Sequence, residues 1–168
     1  MKKSWVAALV LTVMLVCPVL ASDTEYDRAT LAGLSGVHVL VENTTVERKE
    51  EWLSRATLQT DVELRLRQNG IRVLTREAQL TTPGSPFLYV RAVSMPDGFG
   101  GFVVCIELIL SQGVVLERNP SIASTADTWS ATSVMGRIGP NSKFKVRETV
   151  RDQVDQFVNA YLAANPKR

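Results

Sequence analysis

The sequence has little of the two residue types on which most metal sites and many catalytic sites depend. One histidine, His38, and two cysteines, Cys17 and Cys105, occur among 168 residues. A zinc site needs three or four His, Cys or carboxylate ligands, and a Ser-His-Asp triad needs a histidine beside its serine. The chain has no Gly-x-Ser-x-Gly turn, and His38 lies in an apolar run typical of a structural residue. The composition therefore predicts no metal, no cofactor and no enzymatic activity.

A net charge is also missing once the amino-terminal segment is set aside. Lys2 and Lys3 precede an apolar run, and Val19-Leu20-Ala21 ends it before Ser22. This layout is that of a secretory signal peptide over residues 1–21, too short for a membrane span and cleaved after Ala21. Its removal takes two of the nineteen basic residues and none of the seventeen acidic ones. The balanced charge of the mature chain argues against nucleic-acid binding.

The signal peptide predicts export, most plausibly to a bacterial periplasm, with no stable membrane span in the mature protein. Cys17 leaves with the signal, so Cys105 is the only cysteine of the mature chain and an intramolecular disulfide is impossible. Val16 stands where lipid attachment to Cys17 would require a small residue, so no lipid anchor is predicted.

The mature chain predicts a flexible arm at residues 22–35 and one domain at residues 36–165. Runs of β-branched and apolar residues between turn signals predict five strands, at residues 36–42, 71–76, 87–94, 102–112 and 126–134. A cap at Thr44 or Thr45 predicts a helix from Glu47 to Gln68, with an apolar stripe at Trp52, Leu53, Ala56, Leu58, Val62 and Leu66. A closing helix carries a second stripe at Val146, Val150, Val154, Phe157, Val158, Tyr161 and Leu162.

Residues 62–76 leave two alternatives open. Val62 to Arg67 alternates like a strand, and Asn69-Gly70 is the favoured dipeptide of a two-residue hairpin. The same dipeptide also ends helices, and Leu58, Val62 and Leu66 keep a four-residue helical spacing. Because Leu, Glu, Arg and Gln are strong helix formers, the helix followed by a strand is favoured over the paired ribbon.

These elements predict an α+β fold in the order β-α-β-β-β-β-α. The expected architecture is an α/β sandwich of one mixed, mostly antiparallel five-stranded sheet with both long helices packed on one face. A right-handed crossover through the first helix would set the first two strands parallel. On the strand from Phe102, alternation predicts a buried face at Phe102, Val104, Ile106, Leu108 and Leu110, with Glu107 facing solvent or an arginine across the sheet.

Over residues 36–162 the chain resembles a known type of periplasmic module. The segment from Leu64 to Leu74 reads as a helix end, a tight glycine and a strand; Phe87 to Val93 opens a hairpin, and Thr128-Trp129-Ser130 places a tryptophan in a strand. In this order it is similar to the amino-terminal domain of the Tol translocation protein and to the curli-secretion lipoprotein. Unlike the curli-secretion lipoprotein, it lacks a usable lipobox, and unlike in the Tol protein, no propeller is expected after the domain. The resemblance implies binding of partner proteins rather than turnover of substrates.

The sequence thus predicts a non-enzymatic assembly or protein-binding module of the cell envelope, whose partners are other envelope proteins. Aromatic residues concentrate binding energy at interfaces, so Tyr89, Phe99 and Trp129 are candidate partner-binding residues. An exposed sheet face or edge and the loops at residues 83–86 and 96–101 are candidate surfaces. The alternative is a carrier of a small apolar or lipid-like ligand between sheet and helices. The oligomeric state stays open.

Overall fold

The computed structural model describes residues 23–45, 54–142 and 144–166. The elements in chain order are α1 (Glu25–Ala29), β1 (His38–Thr45), α2 (Arg55–Gln68), α3 (Arg76–Thr81), β2 (Phe87–Pro96), β3 (Phe102–Leu116), β4 (Asn119–Ser130), β5 (Val134–Ile138), a 3-10 turn (Pro140–Ser142) and α4 (Phe144–Ala164). This is the predicted α+β class with a mixed five-stranded sheet. The predicted signal peptide lies outside the described residues.

The sheet is ordered β1-β2-β3-β4, with β5 also paired to β3. β1 and β2 are parallel, with His38 opposite Phe87, and every other pair is antiparallel. β3 is the central strand because it is paired on both sides. One side pairs with β2, and the other side pairs with β5 along its first half and with β4 along its second half. No helix among the described residues is both long enough and apolar enough to cross a bilayer.

The core lies between one face of the sheet and the helices α2 and α4. On α2 the buried residues are Leu58, Val62 and Leu66, and on α4 the largest is Phe157. They pack against the alternate strand residues Val39, Val41, Leu88, Val90, Ala92, Val104, Ile106, Leu108 and Leu110. The predicted buried face of β3 and the two-helix layer are therefore confirmed. At the end of the closing stripe, Leu162 is instead exposed.

The end of α2 decides between helix and hairpin in favour of the helix. Gly70 has φ +77°, its N–H donates to the carbonyl of Arg67, and the N–H of Ile71 donates to the carbonyl of Leu66. These two bonds form a Schellman motif, which needs a left-handed residue after the helix and hence favours glycine. The helix begins at Arg55 with the Ser54 hydroxyl as its cap. The predicted helix start at Glu47 and the stripe residues Trp52 and Leu53 lie outside the described residues.

The predicted strand at residues 71–76 is wrong. It is reduced to one parallel bridge between Val37 and Val73, and α3 begins at Arg76. The cause is local, because the Thr75 hydroxyl accepts from the N–H of Ala78 and caps this short helix. The predicted cap at Thr44 or Thr45 is also wrong, since both residues belong to β1.

The predicted fifth strand at residues 126–134 is two strands with a break between them. β4 starts at Asn119, seven residues before the predicted strand, and β5 continues past its predicted end to Ile138. A proline is tolerated at the start of an edge strand because no ladder donor is needed there. At the break, the Gln153 amide of α4 donates to the carbonyls of Ile106 (3.1 Å) and Thr132 (2.8 Å).

The expected flexible arm differs most from the structure. Residues 25–29 form α1 with a Thr24–Asp27 capping box, and Leu31 is completely buried. The carbonyl of Leu31 accepts from the amide of Asn165 (2.9 Å), and that of Leu34 accepts from the Tyr161 hydroxyl (2.8 Å). The arm is thus fastened to the end of α4.

Candidate functional site

The face of the sheet that points away from α2 and α4, here called the outer face, is the main candidate site. Because side chains alternate along strands, its residues follow directly from the strand register. Helices α2 and α4 pack against the other face. Its rows, read across the sheet, are His38-Phe87-Ser111, Leu40-Tyr89-Ile109-Ser130, Glu42-Arg91-Glu107, Val93-Cys105-Met135 and Met95-Val103-Arg137.

The middle row is the charged part of the outer face. Arg91 Nη1 lies 3.1 Å from Glu107 Oε2, which confirms that Glu107 meets an arginine across the sheet. Glu42 is exposed on the other side of Arg91, on β1. Both members of the Arg91–Glu107 pair keep solvent contact, so the pair adds little stability. Because the pair is neutral as a whole, Glu42 gives the row one net negative charge.

The rows on either side of this charged row are apolar. A sheet face that contacts only water usually alternates to polar side chains. Here Leu40, Tyr89 and Ile109 lie half-buried on one side, and Met95 and Met135 are exposed on the other. Apolar side chains on both sides of a charged row, on a sheet face that meets solvent, are typical of a protein-interaction site.

A fixed loop presents an aromatic side chain at one end of the outer face. Phe99 is 87% exposed in the loop between β2 and β3. Asp97 Oδ1 accepts from the N–H groups of Phe99 and Gly101, each at 2.8 Å. Arg137 donates to Asp97 Oδ2, and its guanidinium carbon lies 6.0 Å from the centre of the Phe99 ring. Hydrogen bonds therefore hold this loop in one shape.

Gly101 is required in this loop for a steric reason. A Cβ at this position would lie 2.7 Å from both Asp97 Oδ2 and the carbonyl oxygen of Ile138. Only glycine lets the backbone approach the carboxylate closely enough to donate its N–H. The loop geometry is therefore encoded by the Asp97 carboxylate and the glycine four residues later.

Acid is expected to loosen this loop. Burial opposes the charge of Asp97, but Arg137 and the N–H groups of Phe99 and Gly101 outweigh it and lower the pKa of Asp97. A lowered pKa means that the carboxylate stabilises the loop above its ordinary pKa of about 3.9 and loses this effect as the pH falls through the lower folded value. NMR titration of the Phe99 and Gly101 amide protons should give a midpoint below about 3.9.

The Asp97→Asn variant is the control for this titration, and its amide protons should lose the transition. A midpoint at or above the ordinary aspartate pKa in the unmodified protein would show that the loop does not depend on the charged carboxylate.

The structure brings two of the three predicted partner-binding residues onto one surface. Tyr89 lies in the middle of the outer face, and Phe99 lies beside Arg137 at its end. Trp129 lies on the opposite side, 1% exposed, with its ring 5.4 Å from that of Phe157. Its indole N–H donates to Asp23 at 2.8 Å. Trp129 is therefore a core residue, and its assignment as an anchor is wrong.

The sequence analysis missed Asp97, Arg137, Met95 and Met135 as members of the site. An Asp-Gly-x-Gly-Gly sequence between two strands was the available signal for the Asp97 turn. Arg137 and Met135 could not be found in this way, because both lie beyond the end of the strand predicted at residues 126–134. The other predicted loop, residues 83–86, is held to the sheet, since the Gly113 N–H donates to Gly84 (2.7 Å) and the His38 N–H to Pro86 (3.1 Å).

The reactive side chains of the described residues are dispersed. His38 Nδ1 lies 3.1 Å from the carbonyl oxygen of Leu74. Burial, and then the charge of Glu107, raise the pKa of the Cys105 thiol, which favours its protonated and less nucleophilic form. Within the described ranges, no three His, Cys, Asp or Glu residues lie close enough together to hold a metal ion.

A cleft between α2 and α4 bears on the carrier hypothesis. It has a volume of about 180 Å³, with Val62, Val150 and Val154 among its lining residues. Ion pairs join the same two helices, Arg65 to Asp155 and Arg147 to Asp61. Pockets for small ligands usually enclose about 300 to 1,000 Å³ and are mostly apolar. This cleft is therefore smaller than a typical ligand pocket.

Comparisons of the chain with protein-family models, with curated proteins and with solved structures found no match.

Proposed function

We propose that this protein is a non-enzymatic module of the bacterial cell envelope, exported by its amino-terminal segment, that binds another envelope protein through the outer face. The observation that carries the proposal is the apolar outer face itself. Its rows are apolar on both sides of the Glu42-Arg91-Glu107 row, and Phe99 extends from one end. Resemblance in element order to envelope modules that bind partners agrees with this assignment.

The size of the outer face suits a protein partner. Strands lie about 4.8 Å apart and rise about 3.3 Å per residue, so the rows from Phe87 to Met95 on four strands cover on the order of 500 Å² in plan. Side-chain relief and Phe99 add to this area. The total approaches the roughly 800 Å² that each partner buries in a standard interface.

The charges of the outer face define the chemistry of its partner. The two carboxylates of the middle row exceed its one guanidinium, and Arg91 already contacts Glu107. A partner with a flat apolar surface and one lysine or arginine opposite Glu42 would neutralise the row. A charge that is buried without such a partner is costly, so this match would select among apolar surfaces.

Phe99 would act as the anchor of the interface. Its exposed ring is held by the Asp97 turn, so binding would cost little conformational entropy. Buried aromatic anchors commonly contribute 2 kcal/mol or more to binding.

Site-specific photocross-linking in living cells tests the proposal. A photoreactive phenylalanine is placed at Tyr89 or Phe99 on the outer face, and at Glu148, an exposed position on α4, as the control. We expect both outer-face positions to give one discrete adduct with a different envelope protein, and Glu148 to give none. Mass spectrometry identifies the partner.

Three results would contradict the proposal: no adduct from either outer-face position, equal adducts from Glu148, or adducts joining two copies of this chain at Tyr89. A lipid adduct at the cleft residue Leu64, with none at Tyr89, would favour the carrier instead.

A further inference from the structure

β3 and β4 continue as a two-stranded ribbon past the part of the sheet that the helices cover. Residues 117–125 are all exposed, and Val115 and Ile122 are 61% and 44% exposed. From Ala123 to Asp127 the ribbon keeps a regular register, opposite Val115 to Ser111. No strand among the described residues pairs with the other side of β4. The backbone groups on that side can therefore accept a further strand.

Between Ala123 and Ala126 the free side of β4 carries none of the charges or prolines that usually prevent edge-to-edge pairing. Natural edge strands carry charges, most often lysine, or are covered. Between Asn119 and Ser130 the only ionisable residue is Asp127, whose carboxylate accepts from the Ser111 hydroxyl at 2.6 Å. The opposite edge differs, since β1 carries Glu42 and is joined at its start by the bond from Leu74 N–H to Val37 (2.8 Å).

Two contacts limit the length of edge that is open. At one end, the Thr30 hydroxyl donates to the carbonyl of Thr128 at 3.2 Å, so α1 and its following turn cover the edge beyond Asp127. At the other end, Ser121 donates its N–H to the Asn119 side chain at 3.2 Å, and the register shifts. The open ladder is therefore Ala123 to Asp127, and its middle residue is Thr125.

We propose that two copies of this chain pair antiparallel through β4, about a two-fold axis at Thr125, and join their sheets. This register sets Thr125 opposite Thr125, Ala123 opposite Asp127, and Ser124 opposite Ala126, with no two like charges facing each other. Cross-strand threonine pairs are favourable in sheets. A symmetric contact uses the same edge on both copies and closes at the dimer.

The dimer is expected to be weak. Five paired residues span about 17 Å, and a contact of this length buries much less than the roughly 800 Å² per partner of a stable interface. The association is therefore concentration-dependent. It leaves the outer face of each copy open, and it is independent of the partner proposed for that face.

Analytical ultracentrifugation and cysteine cross-linking of the purified exported protein test the pairing. Sedimentation from about 1 µM to about 1 mM should show a reversible monomer–dimer equilibrium. Thr125→Lys should abolish the dimer because two lysines would face each other. Asn141→Lys, the same charge change at an exposed position outside the sheet, should leave the dimer unchanged.

In a Cys105→Ala background, Thr125→Cys should form a disulfide-linked dimer, since directly opposed residues lie within disulfide reach.

The Asn141→Cys control should stay monomeric under the same oxidation. A protein that sediments as a monomer at every concentration would overturn the inference, as would a dimer that persists in Thr125→Lys. Circular dichroism confirms that each variant is folded. Because Thr125 is exposed, a loss of dimer in a folded Thr125→Lys variant reports on the contact itself.

Discussion

Gln153→Glu should lower the free energy of unfolding by about 4 kcal/mol at pH 7, since a buried carboxylate without a donor raises its pKa by several units. Gln153 is 1% exposed, and its amide donates to two backbone carbonyls at the break between β4 and β5. A carboxylate of the same shape would place negative oxygens against both carbonyls.

The loss of stability caused by Gln153→Glu should be smaller in acid. The folded pKa of the introduced glutamate lies above its unfolded value of about 4.3, so the folded variant binds more protons between the two values. Its stability is therefore greatest below the unfolded pKa and falls as the pH rises through the folded pKa. Urea denaturation between pH 4 and pH 8 measures this dependence.

Gln156→Glu is the matched control on the same helix. The Gln156 side chain accepts from the Thr132 N–H at 3.2 Å, and a carboxylate oxygen can still accept there. We expect a loss below about 1 kcal/mol for a half-exposed site of this kind. Equal losses of stability in the two variants would show that the hydrogen bonds donated by Gln153 do not hold the strands together at the break.

Leu31→Ala should lower the free energy of unfolding by about 3 kcal/mol. This is the usual loss when a fully buried leucine is truncated and its cavity stays partly open. Leu31 is completely buried although it lies in the arm that follows the signal peptide. Asp23 at the start of this arm bonds to Trp129, and Asn165 at the end of α4 bonds to the carbonyl of Leu31 and the N–H of Gly33. The arm is therefore part of the cooperative fold.

Leu80→Ala, at a leucine that is 60% exposed on α3, is the control and should change stability by less than about 0.5 kcal/mol. Both variants are compared by the midpoint of urea denaturation at an unchanged slope. If Leu31→Ala were as mild as Leu80→Ala, the arm would not belong to the folded core.

Periodic segments were the part of the fold that the sequence predicted well. The alternation along β3 identified its buried face because both sides of that strand are paired and one face meets the helices. The stripe of α4 was equally informative, since Val146, Val150, Val154, Phe157 and Val158 are all buried. In both cases, the residues that lie together in space are also regularly spaced in the chain.

The failures occurred where a long-range contact or a side-chain cap overrides the local pattern. Residues 71–76 look like a strand, but Thr75 starts a helix and leaves one bridge at Val73. The arm has no periodicity, and only its contacts with Trp129, Tyr161 and Asn165 order it. For the same reason Trp129 looked like a surface anchor, because nothing local indicates that Asp23, about a hundred residues earlier, satisfies its indole.

The candidate site divides in the same way. Phe99 could be found from an aromatic residue within a glycine-rich turn, whereas the Arg137 contact that supports it needs the β3–β5 pairing. An exposed sheet face was predicted because both helices were expected on one side of the sheet, but the residues that form its rows were not. Its apolar rows follow from register, and register between distant strands is not written in any one segment.

The most direct measurement of the central claim is the affinity of the partner cross-linked at Tyr89 for a matched pair of exposed-aromatic variants. Phe99 and Tyr26 are 87% and 88% exposed, so replacing either by alanine leaves the core intact. We predict that Phe99→Ala weakens binding by about 30-fold or more in isothermal titration calorimetry, as expected for an anchor worth 2 kcal/mol. Tyr26→Ala should change the affinity by less than about twofold. Equal affinities of the two variants for that partner would contradict the assignment of the outer face as a docking surface.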